Sequence, residues 1–185
     1  MKLLYILLLL MCNVTITDPQ CLKLDLVLLV DVSGSVQGHE YFINNAVKEF
    51  ITKFKNTDVN IGMITFADNA KIEFHLGDAP IYTITTSGTT DLSDAIDLGV
   101  VELFSDRARN GYRKMLLIIS DGSPNDINGS KIKAQQSKTI GIGIAGVLIN
   151  AADSHPDYMK EISDVYVETN FELLSEELLK LNLCI

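Results

Sequence analysis

The sequence predicts an α/β domain built on a doubly wound, mostly parallel central sheet, with one antiparallel edge strand and helices on both faces. Three observations carry that prediction. The runs Leu24–Val30, Val59–Phe66 and Lys114–Ser120 are apolar without regular alternation, which marks strands buried on both faces. Between the strands lie segments whose apolar residues recur at helical spacing, and strands alternating with helices imply parallel pairing through right-handed crossovers. One segment, Lys71–Leu76 ("KIEFHL"), alternates instead, as an antiparallel edge strand with one wet face does.

Taken in order, Leu24–Val30 is the first strand. Glu40–Lys55 follows as a helix, with Phe42, Ile43, Val47, Phe50, Ile51 and Phe54 on one face. Val59–Phe66 ("VNIGMITF") and Lys71–Leu76 are the next two strands. Asp91–Phe104 is a helix carrying Leu92, Ala95, Ile96, Val100 and Leu103. Lys114–Ser120 ("KMLLIIS") is again a doubly buried strand, followed by Asp121. Asp126–Ser137 reads as a polar helix, Thr139–Leu148 ("TIGIGIAGVL") as a glycine-spaced strand and Pro156–Ser163 as a short helix. Val165–Glu168 is an edge strand, and Phe171–Leu183 is the closing amphipathic helix.

A chain of 185 residues suits one such domain. Its 47 % hydrophobic content allows a substantial core. A net charge of −9 argues against nucleic acid, which needs clustered Lys and Arg, and against docking on anionic membranes. Residues 1–19 read as a secretory signal, with Lys2 as the positive start and Leu3–Met11 as an apolar run. That run falls short of the roughly 20 residues a spanning helix needs. The folded domain is then expected over residues 22–184, secreted and without stable membrane insertion. Of three cysteines, Cys12 leaves with the signal. Cys21 and Cys184 form an even pair in an exported chain, which suggests a disulfide tying the two ends together; two free buried thiols are the alternative. Asn128-Gly129-Ser130 is an acceptor sequon for N-glycosylation at Asn128.

The chemistry concentrates where strands end. Asp31, Ser33 and Ser35 follow the first buried strand, and in extended backbone such alternate residues project to one side. A carboxylate and two hydroxyls are hard oxygen donors, which suit Mg²⁺, or Mn²⁺ and Ca²⁺, and not zinc. Asp121 at the other strand end is a candidate fourth donor. A threonine of "TTSGTTDLSDAI", ahead of the second helix, is a fifth. In sheets of this type ligands bind beyond the carboxyl ends of the strands.

"DLVLLVDVSGSV", "SGTTDLSDAI" and "LLIISDG" resemble the three motifs of the von Willebrand factor type A domain, the integrin I-domain fold, a Rossmann-like architecture. "VNIGMITFAD" and "DVYVETNFELL" are similar to its second strand and its last strand and helix, so the resemblance runs from Leu24 to Leu183. It implies a metal-ion-dependent adhesion site that offers its ion to an acidic side chain of a partner protein. Carried over, Ser33 and Ser35 bind the ion directly, while Asp31 and Asp121 act mainly through water. Thr90, which precedes "DLSDAI", coordinates when ligand is bound; Thr89 is the runner-up, because the family's glycine pair is "SG" here. The family also couples a shift of that loop to sliding of the last helix, which a Cys21–Cys184 bond would restrain.

Other readings of the residues are narrower. A phosphatase of the haloacid dehalogenase type needs a D-x-D pair, and Ser33 occupies the second position, where it cannot act as a general acid. His39, His75 and His155 show no zinc spacing. "GIGIAG" lies within a strand and lacks the lysine of a phosphate loop. The sequence therefore points to a secreted, non-enzymatic module for protein binding, or to a structural or assembly subunit that uses the same fold without metal-dependent recognition.

Overall fold

A computed structural model describes residues 23–150 and 157–183. The expected signal, Cys21, Cys184 and His155 lie outside the described residues. Strand β1 is Leu24–Asp31, followed by helix α1 (Glu40–Lys53), strands β2 (Val59–Phe66) and β3 (Ala70–Phe74), and helix α2 (Leu92–Leu103). Strand β4 (Arg113–Ser120), helix α3 (Ile127–Thr139), strand β5 (Ile142–Ile149), helix α4 (Asp157–Ile162), strand β6 (Val165–Thr169) and helix α5 (Leu174–Lys180) complete the chain. The six strands form one sheet in the order β3-β2-β1-β4-β5-β6. Only the β2–β3 pair is antiparallel; the others are parallel. The doubly wound sheet with one antiparallel edge strand is thus the observed architecture.

Strand β1 shows why the apolar runs lack alternation. Leu24, Leu26, Leu28 and Val30 face a core shared with α1 and α5, whereas Val27 and Leu29 face a second core under α2, α3 and α4. Both faces are covered, so every position must be compatible with burial. Leu28 is fully buried; truncating it to alanine would cost about 2–5 kcal/mol through lost contacts and the residual cavity. Gly99 lets α2 sit close to the sheet: a Cβ there would meet the Leu116 side chain at 2.8 Å.

Most element ends shift by a residue or two from the sequence reading, and two elements shift by three, each for a local reason. The segment Thr139–Leu148 does not start as a strand. The Thr139 hydroxyl donates back to the Gln135 carbonyl, so α3 runs through Thr139. The chain then turns at Gly141, whose φ is +86°, and β5 begins at Ile142. The closing helix is also shorter than Phe171–Leu183. Phe171 lies ahead of it in a turn, where the Asn170 side chain accepts from the Leu173 amide, and Leu181 leaves it with extended backbone. Leu181 and Leu183 are nevertheless buried, so their apolar spacing reports a tail packed on the core.

At the pole where the strands begin, Arg113 gathers both ends of the described chain. Its backbone amide donates to the Lys23 carbonyl at 3.0 Å, and its guanidinium donates to the Leu183 carbonyl at 3.1 Å.

Candidate metal centre

At the opposite pole the carboxyl ends of β1 and β4 lie side by side, with Val30 in register with Ile119. Asp31, the last residue of β1, is buried. One of its oxygens accepts from the Ser33 amide at 2.9 Å, and the other from the Ser120 hydroxyl at 2.6 Å. The Ser33 and Ser35 hydroxyls are 3.0 Å apart, and Ser35 donates to Asp121 Oδ1 at 2.8 Å. The structure thus brings Asp31, Ser33, Ser35 and Asp121 into one hydrogen-bonded chain. The means differs from strand alternation. Ser33 is extended, but Gly34–Val36 is a single 3₁₀ turn, and that turn swings the Ser35 hydroxyl back over Ser33.

The loop before α2 is tethered to the same turn. Gly34 N–H donates to the Gly88 carbonyl at 3.0 Å, and Ser87 N–H to the Val32 carbonyl at 2.9 Å. Within the loop the two threonines differ. The Thr89 hydroxyl donates to Asp68 at 2.8 Å and accepts from the Asn125 amide group at 2.8 Å. Thr90 is held through its backbone: its N–H donates to Asn125 Oδ1 at 3.2 Å, and its carbonyl accepts from the Asn125 N–H at 2.9 Å. No hydrogen bond among the described residues uses the Thr90 hydroxyl. Gly88 has a φ of +78°, and a Cβ there would lie 2.6 Å from an Asp68 oxygen, so the loop admits only glycine beside Asp68. Helix α2 then starts behind Asp91, whose side chain accepts from the Asp94 amide at 3.0 Å and caps the helix.

The electrostatics follow from burial. The Asp31 carboxyl is pushed up to about 6 by desolvation; its bonds from Ser120 and Ser33 offset part of the rise, and the Asp121 charge adds to it. Asp121 is also raised, chiefly by burial, against the lowering effect of the Ser35 bond. Asp68 is instead held below the usual range by its two Thr89 donors. Two carboxylates penalised by burial, joined by hydroxyls and, among the described residues, without a lysine or arginine bonded to either, fit a hard divalent cation. Among the described residues no group of three or more His, Cys, Asp or Glu side chains could hold a metal; the donor set here depends on hydroxyls.

Asp68, Ser120 and Asn125 were not singled out by the sequence reading. Asp68 follows the carboxyl end of β2 and Ser120 closes β4, so both occupy the rim where ligands bind in such sheets. Asn125, in the loop after β4, carried no comparable signal. His39 stacks on Phe171 with ring centroids 3.9 Å apart, and His75 bonds Glu102 at 2.9 Å; neither approaches a metal geometry. Asn128 is exposed in the first turn of α3, and the Ser130 hydroxyl of its sequon is buried and donates to the Asp126 carbonyl. Among the described residues no helix is long and apolar enough to cross a membrane.

Comparison with known proteins gives the fold and the family. The chain is 28 % identical to human matrilin-3 over 151 residues, which is 70 % of this chain but 30 % of matrilin-3. The fold superposes on proximal thread matrix protein 1 of the mussel byssus, described with a zinc-occupied MIDAS motif. That match has a TM-score of 0.73 at 20 % identity and covers 85 % of this chain and 44 % of the other. It also superposes on the manganese-loaded TRAP protein of Plasmodium vivax with a TM-score of 0.71 at 20 % identity, over 86 % of this chain and 73 % of TRAP. The family model of the von Willebrand factor type A domain matches residues 25–180, and the chain belongs to that family.

Proposed function

We propose that this chain is a secreted, non-enzymatic protein-binding module whose adhesion site holds Mg²⁺, with Mn²⁺ and Ca²⁺ as related alternatives, and offers it to a carboxylate of a partner protein. The observation that carries the reading is the chain of oxygen donors Ser120–Asp31–Ser33–Ser35–Asp121, which holds the buried Asp31 carboxylate and the half-buried Asp121 carboxylate with no lysine or arginine bonded to either among the described residues. Ser33 and Ser35 would contact the ion, with Asp31 and Asp121 orienting hydroxyls and bound water. Thr90 is preferred over Thr89 because the Thr89 hydroxyl is already engaged by Asp68 and Asn125. The bound ion supplies Lewis acidity toward the incoming carboxylate. Asp31 and Ser120 fix the position of the Ser33 turn, and the Gly34–Gly88 bond couples that turn to the threonine loop.

The reading also includes the Cys21–Cys184 bridge and a glycan on Asn128. The first is supported by Lys23 and Leu183 both bonding Arg113, and the second by the exposure of Asn128. An assembly subunit indifferent to metal is the second reading, favoured by the likeness to a byssal thread matrix protein. Calorimetry with magnesium and manganese on the purified chain separates the two. Saturable uptake that is lost in Asp31→Ala supports an adhesion site, and no uptake of either ion leaves only the assembly role.

A further inference from the structure

A second feature lies away from the metal rim. The stripe Tyr41, Asn44 and Lys48 on α1 lies beside the core-facing positions Ile43, Ala46, Val47 and Phe50; Ile51, partly buried against that core, continues it, and Lys55 extends it beyond the helix end. Pro80 and Tyr82, from the irregular segment between β3 and α2, stand opposite it and enclose a trough of about 690 Å³. The Tyr82 ring packs near Phe74, with centroids 5.9 Å apart, which sets the far wall firmly on the sheet. Tyr41 is 75 % exposed, and Ile81, next to the far wall, is 82 % exposed.

The charges here run against the rest of the molecule. The chain carries −9 overall, yet no carboxylate lines the trough while two lysines do. Most basic side chains elsewhere are in ion pairs, but among the described residues the ammonium groups of Lys48 and Lys55 enter no ion pair or hydrogen bond. The acids on the same helix are engaged by other side chains and do not line the trough: Glu40 accepts from Thr86, and Glu49 accepts from Ser175 and from Asn45 at the trough's edge. From Tyr41 to Lys55 the helical rise gives a length of about 21 Å, which an extended peptide covers with about six residues. A trough of that length, with apolar and aromatic walls, the side-chain amides of Asn44 and Asn45 and two uncommitted cations, matches an extended acidic peptide.

We infer that the trough between α1 and the Pro80–Tyr82 segment is a second, metal-independent docking site for an extended segment of a partner protein that carries large apolar side chains flanked by carboxylates. Lys48 and Lys55 receive the carboxylates, while Tyr41, Ile51 and Tyr82 receive the apolar side chains. The site does not depend on the cation reading, so it is tested in EDTA. A displayed random-peptide library is selected on the intact chain, and the enriched peptides are measured by fluorescence polarisation. The expected result is enrichment of acidic sequences with aromatic or large aliphatic residues. Their affinity should fall about tenfold or more in the Lys48→Glu/Lys55→Glu variant, survive in the double Lys→Arg variant and weaken in Tyr82→Ala. All the lysine changes are at exposed positions, and circular dichroism verifies the fold. The inference is overturned if no peptide is enriched, if the enriched peptides lack carboxylates, or if they bind the double glutamate variant equally well. It is equally overturned if a single-chain anionic amphiphile such as laurate binds the trough and no peptide does.

Discussion

Strand β1 carries a buried aspartate at each end, and the two are treated differently. Asp25 and Asp31 lie on the same face and are fully or almost fully buried, at 0 % and 1 % exposure. Asp25 meets a cation of the chain itself: Arg109 donates its backbone N–H at 2.6 Å and its Nε at 2.7 Å, and also caps the Leu24 carbonyl at 2.7 Å. Asp31 receives only an amide and a hydroxyl, and its carboxyl is pushed up to about 6. Burying a carboxylate requires compensation. At the lower pole the chain provides it internally; at the upper rim no cation among the described residues is bonded to Asp31, and the proposed metal would supply the charge. That contrast separates an acid neutralised within the chain from one that is not, without reference to any relative.

The largest expected effect tests the internally neutralised end. Arg109→Met leaves the buried Asp25 with the backbone N–H of residue 109 but no cation, and should cost about 3–5 kcal/mol in urea unfolding, since removing one charge of a buried pair strands the other. An effect below about 1 kcal/mol on the scale of exposed ion pairs would erase the distinction. The converse change, Asp31→Asn, keeps an acceptor for the Ser33 amide, and the Ser120 hydroxyl can turn to accept. It should leave the metal-free fold at least as stable, and more so above about pH 6, while weakening magnesium binding about 10–100-fold in calorimetry. Unaltered magnesium affinity would break the comparison from the other side.

The pH dependence sharpens it further. In EDTA, Asp31 has a folded pKa of about 6 against an ordinary value of 3.8, so the native state binds the proton more tightly than the unfolded chain. The favourable contribution is full below about pH 4 and is lost as pH rises through about 6. Wild type minus Asp31→Asn should therefore lose on the order of 1–3 kcal/mol across that window, as read by thermal melts, and saturating magnesium should abolish the loss. The smallest effect concerns the threonine loop. Asp68→Ala frees Thr89 and should reduce local stability by about 1 kcal/mol, seen as faster amide exchange at residues 87–91 with no change in the sheet.

Much of this was legible before any coordinates. Leu24–Val30 and Lys114–Ser120 announce themselves because a strand covered on both faces has no polar option, and the aspartates that follow them mark the rim. What the one-dimensional pattern cannot distinguish is burial by a helix from burial by a packed tail, which is why Leu181 and Leu183 extended the last helix on paper. Nor does it show that a 3₁₀ turn, and not continued strand, delivers Ser35. Asp68 and Asn125 escaped notice because their roles are relational. Each is an unremarkable loop residue until the fold sets Asp68 against Gly88 and Asn125 beside Thr89. The lysines of the trough were hidden for a similar reason: along the sequence they are two charges on a helix, and only the opposing Pro80–Tyr82 segment turns them into the lining of a groove.

The clasp at Arg113 has a mechanical corollary. Because the incoming and outgoing ends of the described chain are drawn to one guanidinium-bearing residue, the domain resembles a bead hung from a single knot, with its oxygen-rich crown at the far side. Tension between the two ends loads the knot directly, and the crown lies off the line of pull. An anchorage of that kind keeps the crown off the load path, so that force between the two ends need not pass through the strands beneath it.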